Sequence, residues 1–144
     1  MSHHCKILAI SCMDFRLTTS EFAFLQDEAG EYNYDLIKIP GGVLQLVNPK
    51  HPEHREFILN AIRVSLDLHR AVRVILINHE DCGAYGGKKA FSSDEAEKAK
   101  HLDDLQAAKK LILENFGESI EVVKIYAQME DTEGKGWKFE KVAK

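Results

Sequence analysis

The sequence predicts one α/β domain spanning residues 1–144: a mostly parallel central sheet of about five strands with helices on both faces and a last strand returning antiparallel as a hairpin. Three observations predict it. Short apolar runs alternate with segments of helical periodicity. The runs lack polar alternation, as strands buried on both faces do. And 144 residues suffice for one sizeable core but not for two domains.

The elements follow in order. Lys6 to Ser11 (KILAIS) reads as a buried strand, and Thr18 to Glu21 has capping-box spacing ahead of a short helix carrying Phe22, Phe24 and Leu25, with Gly30 as its stop. Asp35 to Ile39 is the second strand, broken at Pro40-Gly41-Gly42. Pro52 opens a helix over about Glu53 to Leu68; Phe57, Ala61, Val64 and Leu68 are its expected inner face, widened by Ile58 and Ile62. Val72 to Asn78 (VRVILIN) is the clearest strand. Ser92 to Glu95 forms a second capping box, opening a helix with Leu102, Leu105, Ile112 and Phe116 inward and Gly117 at its end. Ile120 to Ala127 and Trp137 to Val142 close the sheet around the turn at Glu133 to Gly136.

Composition excludes several functions. The chain is 44% hydrophobic and 29% charged with a net charge of −4, which opposes nucleic-acid binding by bulk electrostatics. No run approaches the roughly 18 apolar residues of a membrane span, and Lys6 is followed by too short an apolar stretch for a signal peptide. A cytoplasmic protein is expected. Its three cysteines are too few and odd in number for a disulfide scaffold, so thiols near histidine point to metal or catalysis.

In parallel sheets, ligands bind beyond the carboxyl ends of the strands. KILAIS is followed by Cys12-Met13-Asp14-Phe15-Arg16, and VRVILIN by His79-Glu80-Asp81-Cys82-Gly83. If the strands are neighbours, two thiols, an imidazole and a carboxylate–guanidinium pair meet at one sheet edge. Two thiolates and one imidazole suit zinc and leave its fourth position open, where bound water has a pKa of about 7. Asp14, two residues past Cys12, faces the same side if the backbone stays extended, and Arg16 can hold it ionised. The same carboxylate could instead swing onto the metal and close the site.

Cys-x-Asp-x-Arg after the first strand, then His-x-x-Cys-Gly after a later one, resembles the β-class carbonic anhydrases. The likeness runs from about Lys6 to Val142 and includes the glycine turn, the long helix and the closing hairpin. It implies Zn2+ held by Cys12, His79 and Cys82, a catalytic dyad of Asp14 and Arg16, and substrate oxygen bound by the Gly83 N–H. The implied reaction is reversible hydration of carbon dioxide to bicarbonate. Alternatives are hydrolysis of carbon disulfide or carbonyl sulfide, or non-catalytic binding of zinc or bicarbonate. The chain departs from the family pattern at Lys38 to Gly42, where many members carry Arg-Asn, and at Ala84, where many carry Gly.

The resemblance also implies a homodimer or higher homo-oligomer, and the apolar run Val43 to Val47 and the last strand are its expected interface. No nucleic acid or membrane partner is expected. Phe15, Leu44, Leu46, Val47 and Tyr85 are candidates to wall an apolar pocket. Cys5 is expected to pack or stay free, and His51, His54, His69 and His101 to be solvated. Gly83 to Lys88 fails the spacing of a nucleotide loop, and Lys88 is a poor substitute for the Arg of a cysteine-phosphatase loop.

Overall fold

β1 (Ile7–Cys12) is buried along its whole length and organises the sheet. The computed structural model describes residues 3–143. α1 (Thr18–Ala29), β2 (Tyr34–Ile39), the one-turn α2 (Leu44–Val47), α3 (Pro52–Asp67), β3 (Arg73–His79), α4 (Asp94–Phe116), β4 (Glu121–Met129) and β5 (Trp137–Lys141) follow. The strand order is β2-β1-β3-β4-β5, with β5 alone antiparallel to its neighbour. This is the predicted mixed sheet.

Alternation along β1 divides the core. Leu8 and Ile10 face Val43, Leu46, Ile58, Ile62, Leu105 and Ile112, beneath α2, α3 and α4. Ile7 and Ala9 face Leu17, Leu25 and Ala29 beneath α1, together with Trp137. The chain leaves β1 toward β2 on one side and later enters β3 on the other, so the switch point lies between β1 and β3. Ile10 pairs with Leu76; two residues beyond that pair β1 ends at Cys12, and three beyond it β3 ends at His79. Among the described residues no helix is long and apolar enough to cross a membrane.

Four local expectations fail for identifiable reasons. In α3 the buried residues are Ile58, Ile62 and Ser65, while Phe57, Val64 and Leu68 are exposed. The two candidate stripes are one residue apart, about 100° of rotation, and packing against α2 and the sheet selects the second. Thr18 does not cap α1, because a 3₁₀ turn at Phe15–Leu17 runs directly into the helix. Glu21 instead lies buried, accepting from the Ser11 hydroxyl and, at 2.5 Å, from Lys38 Nζ. α4 is capped by Ser93, whose Oγ accepts from the Ala96 N–H at 3.0 Å, one residue later than expected. Finally, Val43 and Leu46 are fully buried within one chain, which removes them from the expected subunit interface.

Candidate metal centre

The carboxyl ends of β1 and β3 bring Cys12 and His79 together, and the turn after β3 adds Cys82. All three are buried, and their ligand atoms lie within 4.8 Å of one another. The two sulfurs are 3.9 Å apart. His79 Nδ1 lies 2.7 Å from the Glu80 carbonyl oxygen. A carbonyl only accepts, so Nδ1 carries a proton, and the tautomer this selects has its lone pair on Nε2. That Nε2 is buried without a hydrogen-bond partner. Trp137 packs edge-on against the ring with centroids 5.4 Å apart.

The thiols are electrostatically unequal. A hydrogen bond from Cys82 holds Cys12 below the ordinary thiol range, while the same bond, burial and the Cys12 charge push Cys82 up. One thiolate forms readily and a second is opposed unless positive charge accompanies it. A buried imidazole lone pair lacking a donor, beside two thiols that need such charge, is a donor set that fits zinc.

The turn that presents Cys82 depends on Asp81, whose φ of 56° is left-handed. Short polar side chains tolerate that region when they bond locally. Asp81 Oδ1 accepts from the Lys88 N–H at 2.9 Å, and the Asp81 N–H donates to the buried Glu97 carboxylate at 2.7 Å.

Asp14 and Arg16 form the expected pair by a different route. The strand stops at Cys12, and Asp14 caps the 3₁₀ turn by accepting from the Arg16 N–H at 2.9 Å. Arg16 Nη2 donates to Asp14 Oδ2 at 2.6 Å and to the Asp81 carbonyl at 2.9 Å, while Nη1 reaches Asp81 Oδ2 at 3.2 Å. Burial opposes ionisation of Asp14, but the Arg16 hydrogen bonds outweigh it and hold the carboxyl below its ordinary range. Asp14 Oδ2 lies 3.8 Å from His79 Nε2, next to the ligand cluster, yet its oxygens are engaged by Arg16.

A cleft of about 890 Å³ opens over the pair, lined by Cys12, Met13, Asp14, Phe15, Gly83 and Ala84 among others. The Gly83 N–H begins a 3₁₀ turn and has no acceptor within it. Of the expected apolar wall, Phe15 lines the cleft, but Leu46 belongs to the core. Tyr85 is committed elsewhere, donating to Asp104 at 2.7 Å and accepting from Asn78 Nδ2 at 3.1 Å.

Three participants escaped the sequence reading. Asp81 is the second anchor of Arg16, and it lay visible inside the His-x-x-Cys motif. Trp137 covers both His79 and Arg16, the guanidinium lying 5.7 Å from the indole centroid. His101 is fully buried, not solvated. Asn78 fixes its state: Oδ1 accepts from the Val43 N–H at 3.2 Å, so Nδ2 donates to His101 Nδ1 at 2.9 Å. His101 is thereby a neutral spacer behind the site, its pKa lowered to about 4 by burial.

A family model described as "Putative carbonic anhydrase" matches residues 2–143. An uncharacterized protein of Rickettsia bellii is 34% identical over 112 residues, which cover 76% of this chain and 68% of that protein. Tetrameric β-carbonic anhydrases from Sordaria macrospora superpose with a TM-score of 0.64 at 14% identity, covering 96% of this chain and 83% of theirs. An apo-form carbon disulfide hydrolase superposes with a TM-score of 0.51 at 13% identity, covering 96% of this chain and 79% of its own. With nearly its whole length matched, the chain belongs to this carbonic anhydrase family and carries the β-carbonic anhydrase fold.

Proposed function

We propose that this protein catalyses the reversible hydration of carbon dioxide to bicarbonate, with zinc held by Cys12, His79 and Cys82. The observation that carries the reading is the buried, unpartnered His79 Nε2 beside two thiols, with an Arg-clamped carboxylate 3.8 Å away. Zinc bound there supplies a water whose pKa falls to about 7, so that a nucleophile is available near neutral pH.

The chain's own residues then divide the work. Asp14, ionised and able only to accept, takes a hydrogen bond from the attacking oxygen and aims its lone pair into the cleft. Arg16 keeps Asp14 ionised and engages both its oxygens beside the ligand cluster, with Asp81 steadying the guanidinium from the other side. The Gly83 N–H donates to a substrate oxygen. Phe15 and Met13, both exposed at the cleft, offer apolar surface to a small uncharged molecule. The overall reaction adds water across carbon dioxide and releases one proton.

The tetrameric relatives on this fold support a homodimer or higher homo-oligomer, and reduced paired thiols support a cytoplasmic setting. Likeness to a carbon disulfide hydrolase favours one second reading, in which the same residues add water to carbon disulfide or carbonyl sulfide.

Zinc analysis with stopped-flow hydration assays tests the proposal. The protein is expected to hydrate carbon dioxide, and Cys82→Ser to lose both that activity and the zinc of this centre. Fully zinc-loaded protein with no hydration from about pH 6.5 to about 9 would overturn it; turnover of carbon disulfide in the same preparation would establish the second reading.

A further inference from the structure

At the end of the sheet opposite the cleft, three more donor side chains meet. Cys5 stands two residues before β1, Asp35 is the second residue of β2, and His69 lies between α3 and β3. Because β2, β1 and β3 are neighbours, three adjacent strand origins deliver a thiol, a carboxylate and an imidazole to one place. Their ligand atoms all lie within 4.8 Å of one another. We propose that Cys5, Asp35 and His69 form a second metal site, selective for zinc or a similarly soft divalent cation.

The surroundings fix each donor. The Cys5 N–H donates to the His69 carbonyl at 2.8 Å, tying the two backbones together. Arg70, with a φ of 61°, turns the chain immediately after His69. The Ser65 hydroxyl donates to Asp35 Oδ2 at 2.7 Å, the kind of outer contact that orients a ligating carboxylate. His69 Nδ1 lies 2.7 Å from the same oxygen. Ligands of a tetrahedral zinc ion sit about 3.4 Å apart, so the ion would part that pair slightly and draw the thiol inward. His3 rests against His69, ring centroids 5.0 Å apart, leaving the fourth corner to its imidazole or to water.

Donor chemistry selects the occupant. Sulfur, nitrogen and oxygen together suit zinc, whereas calcium and magnesium require more oxygen ligands than the cluster has. Half-buried His69 and Asp35 leave a path for the ion from solvent.

Metal content after zinc equilibration and gel filtration, with cobalt substitution, tests this independently of the catalytic centre. Wild-type protein is expected to hold two ions per chain. Cys5→Ser and His69→Ala should each lose one with the hydration rate unchanged. A Cys12→Ser/Cys82→Ser chain should keep one cobalt ion with a thiolate-to-cobalt charge-transfer band. Zinc should also slow alkylation of Cys5 in the unmutated protein by about tenfold or more, which needs no variant to fold. Wild-type metal content in both Cys5→Ser and His69→Ala, or alkylation indifferent to zinc, would overturn the second site. Metal lost only in Cys82→Ser would leave the catalytic centre alone; metal lost only in Cys5→Ser would leave the second site and remove the zinc of the proposed function.

Discussion

Arg16 holds both oxygens of Asp14, two residues before it: Nε lies 3.1 Å from each oxygen and Nη2 lies 2.6 Å from Oδ2. The carboxylate therefore has a fixed plane and charge at the mouth of the ligand cluster. Asp14→Asn should keep its zinc and lose hydration activity by about 10²-fold or more, the usual scale for a lost acid–base partner. Equal rates in the two proteins would remove Asp14 from the mechanism.

Arg16→Ala releases the clamp. The freed Asp14 can swing toward His79 and compete for the open ligand position, most effectively at low pH where hydroxide is scarce. The activity loss should be greatest near pH 6.5 and partly relieved near about pH 9. A pH–rate profile with zinc content measured alongside checks this; a uniform loss at every pH would argue against the swing.

Asp81→Asn tests the second anchor. The amide still tolerates the left-handed backbone and can still accept from the Lys88 N–H, but it no longer pairs its charge with Arg16. A weakened charge-assisted bond of about 1 kcal/mol implies roughly a fivefold fall in kcat/KM. Zinc content should not change.

His101 makes stability depend on pH. Its folded pKa is lowered to about 4 from 6.5, so between those values the unfolded chain binds the extra proton and the folded chain does not. Its contribution is lost as pH falls across that window, by up to about 3 kcal/mol. His101→Gln keeps an acceptor for Asn78 Nδ2 and removes the titration. Urea unfolding at pH 7 and pH 4.5 should show a smaller difference for the variant than for the wild type.

Gly42→Ala should destabilise the fold by about 1–3 kcal/mol. Gly42 has a φ of 57°, and an added Cβ would come within 2.9 Å of both Asn78 Oδ1 and the Ile77 carbonyl. The turn crosses directly over the end of β3, and denaturant midpoints check the cost.

Cys12, His79 and Cys82 were legible in the sequence because each follows a strongly apolar strand, and parallel topology leaves few ways to arrange such ends. Asp14 and Arg16 were legible as a pair, but their geometry was not, since nothing in Cys12 to Arg16 announces that the strand gives way to a 3₁₀ turn. Helix rotation was the weakest inference: Phe57 and Ile58 are equally apolar, and only the position of α2 separates them. Glu21 and His101 misled for another reason. Glu21 reads as the far end of a capping box and His101 as solvated, because the partners that hold them inside, Ser11 and Lys38 for Glu21 and Asn78 for His101, are distant in sequence.

Trp137 has a temporal consequence. It is buried on β5, its indole N–H donating to the Gly134 carbonyl at 3.0 Å, and it covers His79 and Arg16. During synthesis Cys12, His79 and Cys82 all emerge before this lid exists. Wherever β5 has not docked, His79 and Arg16 therefore lack their indole cover, so the centre is sealed only by a segment that follows all three of its thiol and imidazole groups in the chain.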